Sequence, residues 1–194
     1  TAAPRISSRD ELQPLMQVPG VRVVWARSPA QIADADWVIL PGSKATAADL
    51  SWMRTQGLDA AIVAHASEGR RVLGICGGLQ MLGEALIDLH GVDGNAAGLG
   101  LLPLATLFAQ EKTVQPTTLT LPELQAPWNG LSRVQARGYE IHHGQTELRA
   151  DMQAGAEQPA KELLPGMLWQ GGNSAVGGTY LHGLFENAEV IHAS

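Results

Sequence analysis

Short apolar runs rich in β-branched residues punctuate the first half of the chain. Residues 21–26, 37–40 and 71–75 are such runs, bounded by residues such as Pro, Gly and Asp, which is typical of buried strands. The first two are predicted to be central strands of a sheet. Between the second and third runs, apolar residues recur at helical spacing over residues 46–56 and again after Gly57, where His65 shares the apolar face. This order of strand, crossover and strand predicts a parallel sheet.

The second half of the chain has a different pattern. Residues 91–100 contain four glycines and predict a loop, and residues 113–121 alternate like an exposed strand interrupted by Pro116. We therefore expect an antiparallel extension of the sheet. Residues 150–159 show no periodicity and predict a mobile surface segment. A last apolar run, residues 176–181, ends directly before His182.

Composition narrows the classes of protein that the chain can represent. Its 194 residues predict one domain, and 45% hydrophobic with 16% charged residues predicts a compact core. The formal net charge of −6 and the lack of a basic block argue against nucleic acid as a partner. No apolar run is long enough for a membrane span. A single cysteine, Cys76, excludes an intrachain disulfide and a multi-thiolate metal site, and suits a reducing cytoplasm.

That cysteine lies in the sequence Gly74-Ile75-Cys76-Gly77-Gly78, between a predicted strand and a predicted helix. A nucleophile elbow has this form, because the nucleophile occupies a sharp turn whose neighbours must lack a Cβ atom. Free backbone N–H groups at the start of the helix would stabilise an oxyanion. The alternative is that Cys76 is a small buried hydrophobic residue beside a glycine turn.

A thiol nucleophile needs a base, and imidazole is the usual one near neutral pH. Among the six histidines, His182 is the best placed, since it ends an apolar strand as Cys76 does. In a parallel sheet both side chains would emerge at the carboxyl edge, where α/β sites lie. His65 is expected to be a packing residue, and His90 and His192 are expected to be solvated.

Several motifs together resemble the Cys–His glutamine amidotransferase domain of the cobyric acid synthase family. They are the segments around Cys76 and His182, residues 139–144, residues 38–44 with the trailing Asp49-Leu50, and Pro4-Arg5-Ile6-Ser7. The resemblance runs from about Pro4 to Asn187 and keeps the order of the motifs. It implies a single α/β class I glutamine amidotransferase domain over residues 1–194, with a mostly parallel twisted sheet flanked by helices and an antiparallel extension.

The resemblance also implies roles for individual residues. Cys76 would attack the side-chain amide of glutamine, release ammonia and form a glutamyl thioester, with His182 as the proton shuttle. Backbone N–H groups of Gly77 and of the Gly42-Ser43 turn would bind the oxyanion. Substrate contacts would come from Gln80, Tyr139 and His142, although Gln80 could equally be an ordinary polar residue of a first helical turn.

One position departs from the broader triad class. Most members carry Glu two residues after the catalytic histidine, where this chain has Leu184, so the third member of the site is left unassigned. Glu186 stays in phase with His182 if the strand continues, and is then a candidate catalytic orienter; a bend after Gly183 would leave it a solvated carboxylate.

No metal site is expected, because neighbouring strand positions such as His142 and His143 face opposite sides and no acidic cluster lies nearby in sequence. Lys44 could meet the glutamine α-carboxylate or a partner domain, or simply be solvated.

The expected function is the glutaminase half of a two-part ligase that amidates peripheral carboxylates of a corrinoid, cobyrinic acid a,c-diamide. Gly42-Ser43-Lys44 is not a P-loop, which needs a glycine directly before the lysine. The resemblance implies that ATP and Mg²⁺ are used by a separate synthetase domain, the partner of this chain, so no cofactor is expected in this chain. We also expect that the chain is a fragment of a longer enzyme.

Other functions stay open at this stage. The same glutaminase chemistry serves cobyrinic acid a,c-diamide synthases and peptidoglycan-precursor amidotransferases. A cysteine hydrolase or deglycase, or a non-catalytic regulatory module, would use the same scaffold for a different purpose.

Overall fold

The computed structural model describes residues 3–7, 9–149, 151, 159–171 and 173–194. Its strands are β1 (Trp37–Leu40), β2 (Arg71–Ile75), β3 (Ala85–Asp88), β4 (Ala96–Ala97), β5 (Leu104–Thr120), β6 (Gln135–Leu148), β7 (Lys161–Leu164), β8 (Leu168–Gly171) and β9 (Val176–Thr179). Its α-helices are α1 (Gln13–Met16), α2 (Pro29–Ala33), α3 (Thr46–Thr55), α4 (Leu58–Ser67), α5 (Gly77–Leu82) and α6 (Ala188–Ala193). Most of residues 150–159, the predicted mobile segment, lie outside the described residues.

The strands form two sheets. The first has the order β1-β2-β9-β8-β7, in which β1, β2 and β9 are parallel and the other two strands are antiparallel. The second has the order β4-β3-β5-β6 and is dominated by the long antiparallel ribbon of β5 and β6. The predicted fold class, a helix-flanked parallel sheet with an antiparallel extension, is confirmed. Residues 113–120 of the predicted strand 113–121 belong to the ribbon.

The helical predictions are also confirmed. Helix α3 buries Thr46, Asp49, Leu50 and Met53, and α4 buries Leu58, Ile62, His65 and Ala66, the spacing of one helical face. His65 is a packing residue as expected, since it is 1% exposed and its Nε2 lies 3.2 Å from the Arg71 carbonyl oxygen.

The prediction of two central strands near the start is wrong. Residues 21–26 form no strand, and the side chains of Val21 and Val24 are each 44% exposed. Because this run joins no ladder, β1 is an edge strand of the first sheet within the described residues. Here the apolar run specified neither a pairing partner nor burial, since only Ala26 of the run is deeply buried.

Helix α5 packs very closely on the parallel strands. A Cβ atom on Gly78 would lie 1.8 Å from the carbonyl oxygen of Leu40, so the helix can approach β1 only because this residue is glycine. Leu79 and Leu82 of the same helix are fully buried. The close contact fixes the start of α5, and with it Cys76, relative to the carboxyl ends of the strands.

Candidate active site

Cys76 occupies the turn between β2 and α5, where the sequence predicts it. Its backbone has φ 53° and ψ −111°, a region that non-glycine residues rarely adopt and that is associated with functional sites. The turn is held by hydrogen bonds from the N–H of Cys76 to Thr179 O (2.8 Å) and from the N–H of Gln80 to Cys76 O (3.1 Å). A Cβ atom on Gly74 would lie 2.6 Å from Gly78 O. The glycines thus allow the elbow that places the thiol in the cleft at the sheet edge.

His182 follows β9, the strand next to β2, and reaches the same edge. Its backbone pairs with Tyr139 through hydrogen bonds of 2.9 and 3.2 Å, and the Tyr139 ring stacks on the imidazole with centroids 5.1 Å apart. The imidazole lies close to Cys76, which raises the pKa of His182, and Cys76 Sγ lies 3.3 Å from the Ile141 carbonyl oxygen. The structure therefore brings the nucleophile and the base predicted from the sequence into contact.

A third residue, Glu11, lies beside His182 and was not predicted from the sequence. One carboxylate oxygen, Oε2, is 3.5 Å from His182 Nδ1, and the other accepts a hydrogen bond of 3.0 Å from the N–H of Gly183. Glu11 is 6% exposed and belongs to a 3₁₀ turn, Asp10–Leu12. No local pattern marks it. The only available signal is that the preceding Pro4-Arg5-Ile6-Ser7 is one of the motifs that carry the resemblance.

The pKa of His182 reflects these neighbours. Burial by itself lowers the pKa, because it penalises the charged imidazolium. The close approach of Cys76 and Glu11, together with the negative charges of both groups, outweighs burial and raises the pKa of His182 to about 10. The site is thus built to keep an imidazolium next to Cys76.

Glu186 and Leu184 occupy different surroundings. Gly183 has φ 78° and is followed by a 3₁₀ turn, Leu184–Glu186, so β9 does not continue and Glu186 is exposed. Because the chain bends here, Glu186 does not continue the strand alternation that would have aligned its carboxylate with the side chain of His182. Leu184 is buried in an apolar space beside Trp37 and Phe185, where a carboxylate would be poorly solvated.

The turn at Gly42 and Ser43 lies against the elbow. A Cβ atom on Gly77 would be 2.8 Å from the backbone nitrogen of Ser43, so the two segments are in contact. The turn is fixed by hydrogen bonds from Ser7 N to Gly42 O (3.0 Å) and from Lys44 N to Arg5 O (3.1 Å). Neither bond uses the N–H groups of Gly42 or Ser43. This arrangement is compatible with the predicted oxyanion-binding role of Gly42, Ser43 and Gly77.

A buried carboxylate anchors the same turn. Asp49 is 1% exposed and accepts hydrogen bonds from Ser43 Oγ (2.7 Å) and from the N–H of Arg5 (3.2 Å). The N-terminal segment, which comprises residues 3–7 and 9–16, therefore holds the Gly42-Ser43 turn and α3 in place and is held by them.

Cys76 and His182 open into a cleft of about 1170 Å³, its open mouth included. The cleft is lined by polar and apolar side chains: Ser7, Ser43, Lys44, Thr46, Cys76, Gln80, Val92, Asp93, Phe108, Lys112, Tyr139, Ile141, His142, His143 and His182. Gln80, Tyr139 and His142, the substrate contacts predicted from the resemblance, all belong to this lining, and their roles stay predictions.

Gln80 is held firmly within the wall of the cleft. Its side-chain oxygen accepts a hydrogen bond of 3.3 Å from Thr46 Oγ1, and its Nε2 donates to His143 O and to Tyr180 Oη, each at 3.1 Å. Desolvation raises the pKa of Tyr180 to about 12, so this phenol stays neutral in the network. Gln80 therefore fixes the shape of the wall as well as lining it.

His142 and His143 both belong to the lining of the cleft. They pair in regular register with Thr113 and Lys112, and the irregularity between β5 and β6 begins only after them, at Gly144 with φ 92°, so the regular pairing agrees with the expectation that neighbouring strand residues face opposite sides. His143 presents its carbonyl oxygen to Gln80, while its Nδ1 lies 3.3 Å from Ala109 O. His142 stacks on Tyr180 with centroids 3.8 Å apart, and burial lowers its pKa.

Two negative findings concern the described residues alone. They contain no group of three or more His, Cys, Asp or Glu side chains that could hold a metal ion. They also contain no helix long and apolar enough to cross a membrane.

Comparison with known proteins identifies similar chains over nearly the full length. Residues 1–190 match the model of the CobB/CobQ-like glutamine amidotransferase domain family. Cobyric acid synthases of Acidovorax ebreus, Paracidovorax citrulli and Leptothrix cholodnii align with 99% of this chain, at sequence identities of 62%, 62% and 50%. The chain spans only 38%, 39% and 38% of the length of these relatives.

Solved structures share the fold at low sequence identity. A glutamine amidotransferase structure aligns over 97% of this chain and 91% of its own, with a TM-score of 0.63 and 14% identity. The PurLQS structure from Thermotoga maritima aligns over 100% of this chain and 93% of its own, with a TM-score of 0.65 and 15% identity. At this identity the comparison establishes the fold alone.

Proposed function

Because the chain belongs to the CobB/CobQ-like glutamine amidotransferase family, we propose that it hydrolyses glutamine at Cys76 and supplies the ammonia to a biosynthetic ligase. The observation that carries this proposal is the contact between Cys76 and His182 at the ends of neighbouring parallel strands, inside a cleft of sufficient size. A cysteine nucleophile beside a histidine that can carry a proton is the minimal machinery for acyl transfer through a thioester.

The reaction follows from the chemistry of these two side chains. The thiolate of Cys76 attacks the carboxamide carbon of glutamine, and the resulting oxyanion is stabilised by backbone N–H groups of Gly77 and the Gly42-Ser43 turn. His182 donates its proton to the leaving nitrogen, so ammonia departs and a glutamyl thioester remains. Water then attacks the thioester, His182 takes a proton from it, and glutamate and the thiolate are released. Loss of one oxyanion donor costs about 3 kcal/mol in related acyl-transfer sites.

The two ends of a bound glutamine require opposite charges from the cleft. Lys44 and Lys112 line it and could neutralise the α-carboxylate, while Asp93 lines it as the counterpart of the α-ammonium. The Asp93 carboxylate accepts hydrogen bonds from Thr46 N and Ala47 N, which fixes its position. The cleft thus has the charge pattern that suits a zwitterionic amino acid.

Relatives at 50–62% identity favour cobyric acid synthase as the whole enzyme. The proposal therefore includes a synthetase domain that uses ATP and Mg²⁺, receives ammonia and amidates peripheral carboxylates of cobyrinic acid a,c-diamide. The synthetase domain would bind the corrinoid, and glutamine would be the substrate of this chain. A cytoplasmic location belongs to the same proposal. Glutaminases that serve cobyrinic acid a,c-diamide synthase or a peptidoglycan-precursor amidotransferase are the alternatives within the same chemistry.

Covalent labelling by a glutamine mimic tests the proposed activity. 6-Diazo-5-oxonorleucine should alkylate Cys76, as read by mass spectrometry of the intact chain and of its peptides, and free glutamine should slow the labelling. Glutamate release from glutamine should be abolished in Cys76→Ala. Absence of labelling together with turnover of an α-oxoaldehyde adduct would favour a deglycase, and an inert Cys76 would favour a regulatory module.

A further inference from the structure

The site described above has a nucleophile and a base but no carboxylate at the position where the broader triad class carries one. Leu184 occupies that position and lies in apolar surroundings. An imidazole that cycles its proton needs a partner at its second nitrogen, since that partner fixes the tautomer and the orientation of the ring. Another group of this chain must therefore interact with His182 Nδ1.

We propose that Glu11, supplied by the N-terminal segment, is the positioning residue that holds His182 for catalysis. This inference rests on the proposed glutamine hydrolysis. Glu11 does not touch the reacting atoms; it acts through His182, with Oε2 facing Nδ1 at 3.5 Å while the imidazole contacts Cys76.

Two buried atoms that lack hydrogen-bond partners support this assignment. Glu11 Oε2 and His182 Nδ1 are both deeply buried, and neither has a hydrogen bond within the described part of the chain. Buried polar atoms without partners are rare and costly, and here the two face each other. A movement of less than about 1 Å would bring them to the length of a charge-assisted hydrogen bond. Catalytic hydrogen bonds are often long before the substrate binds and shorten in the complex.

The carboxylate is also held from its other side. Glu11 Oε1 accepts the hydrogen bond from the N–H of Gly183, the residue directly after His182. Buried Leu12 and Leu15 anchor the following turn in the core. Upstream, Arg5 and Ser7 are hydrogen-bonded to Asp49 and to Gly42 O. The backbone of this segment is thus fixed independently of the Glu11 side chain, so a substitution there should leave the segment in place.

The other ionisable groups around the imidazole do not fill this role. Cys76 is the nucleophile, and Tyr139 stacks on the ring face. The Nδ1 of His142 lies 3.1 Å from Gly144 O, and its Nε2 lies 3.5 Å from a carboxylate oxygen of Glu140. Glu140 in turn accepts hydrogen bonds from Gln115 and Thr117. Glu11 is therefore the carboxylate that the fold directs at Nδ1.

The test compares Glu11→Gln with Asp10→Asn. Gln keeps the shape of the side chain and an oxygen that can accept from Gly183 N–H, but it loses the negative charge. Asp10 neighbours Glu11 in the same 3₁₀ turn, is exposed, and its carboxylate accepts a hydrogen bond only from Gln13 among the contacts described, so Asp10→Asn matches the change in charge without touching His182. We expect Glu11→Gln to lower kcat for glutamine by about 10- to 1000-fold, with little change in KM, and Asp10→Asn to behave as the wild type.

The titration of His182, followed by NMR of ¹⁵N-labelled imidazole, separates a positioning role of Glu11 from a merely structural one. A structural role would leave this titration unchanged. In Glu11→Gln, His182 should lose its proton at a distinctly lower pH than in the wild type. Glu11→Asp, which keeps the charge, should restore most of the wild-type titration. If Glu11→Gln does not fold, the comparison of Glu11→Asp with the wild type decides, since a shorter carboxylate should then lower kcat measurably.

An unchanged His182 titration in folded Glu11→Gln would overturn the proposal, as would a loss of activity in Glu186→Gln that Glu11→Gln does not show. The titration needs no glutamine. If the wild type proved inactive on glutamine while Glu11→Gln still shifted the titration, the proposed function would fail and the pairing of Glu11 with His182 would stand.

Discussion

A single methyl group at Gly138 should displace His182 without disturbing the core. A Cβ atom at this position would lie 1.9 Å from the carbonyl oxygen of His182 and 3.0 Å from Leu181 Cδ1. Real Cβ contacts are essentially never shorter than 3.0 Å, so the backbone of His182 must move away from β6 by about 1.1 Å, the difference between these limits. The adjacent hydrogen bonds between Tyr139 and His182 resist this movement.

The expected magnitude follows from the size of the shift. A displacement of about 1 Å in a catalytic group typically costs about 100-fold in rate, whereas one added methyl in a packed region costs about 1–3 kcal/mol of stability. We therefore expect Gly138→Ala to lower kcat for glutamine by about two orders of magnitude while remaining folded. Steady-state glutamate release and thermal unfolding followed by circular dichroism measure the two quantities.

Gly177→Ala provides the matched control. Gly177 lies in β9, the strand that leads to His182, but its Cβ would meet Leu73 at 3.6 Å and Trp128 at 3.7 Å, which is ordinary van der Waals contact. This variant should keep nearly wild-type kcat and stability. Wild-type turnover in Gly138→Ala would refute the reasoning, because it would mean that the position of His182 does not limit the reaction.

Three further predictions concern the charges of the site and its loops. His182→Ala should lower kcat at least 100-fold, and an unchanged rate and pH dependence of Cys76 alkylation by iodoacetamide would exclude His182 as its base. Since the pKa of His182 is raised from 6.5 to about 10, its contribution to stability is complete below about pH 6.5 and is lost as the pH rises towards 10; urea unfolding should show this loss in the wild type and not in His182→Ala. Asp88 accepts backbone hydrogen bonds from His90, Asp93 and Gly94, and these bonds outweigh desolvation and lower its pKa. Asp88→Asn should therefore lower the melting temperature at neutral pH. The wild type should lose stability as the pH falls below about 3.8, and Asp88→Asn should lose less over the same range.

The sequence predicted those parts of the fold that local patterns determine. Helices α3 and α4, strands β2 and β9, and the glycine-rich elbow all carry their own periodicity or spacing. The failure at residues 21–26 has a different origin: joining a sheet depends on where a partner strand lies, and the apolar content of a short run does not report that position. The irregular pairing of β5 with β6 is likewise a property of two strands, and neither strand alone carries a signal for it.

The same distinction applies to the site. Cys76 and His182 were predictable because each ends a strand of a parallel sheet, and such ends meet at one edge. Glu11 was not, because it is separated from Gly183 by 172 residues and reaches it from a short turn without a repeating pattern. The search for an orienting carboxylate near His182 in sequence led to Glu186, which the turn at Gly183 carries to the surface.

The site therefore combines two kinds of support. Residues 75 and 179 are paired in the parallel ladder of β2 and β9, so the distance between Cys76 and His182 is set by the core of the first sheet. The orientation of the imidazole depends instead on segments outside that sheet, with Tyr139 from the ribbon and Glu11 from the N-terminal segment. Because the side chains of Glu11 and Tyr139 lie outside the hydrophobic core cluster, substitutions of these two residues should reduce turnover far more than stability. A domain that docked on the ribbon or on the N-terminal segment could then change the rate of glutamine hydrolysis without altering the fold around Cys76.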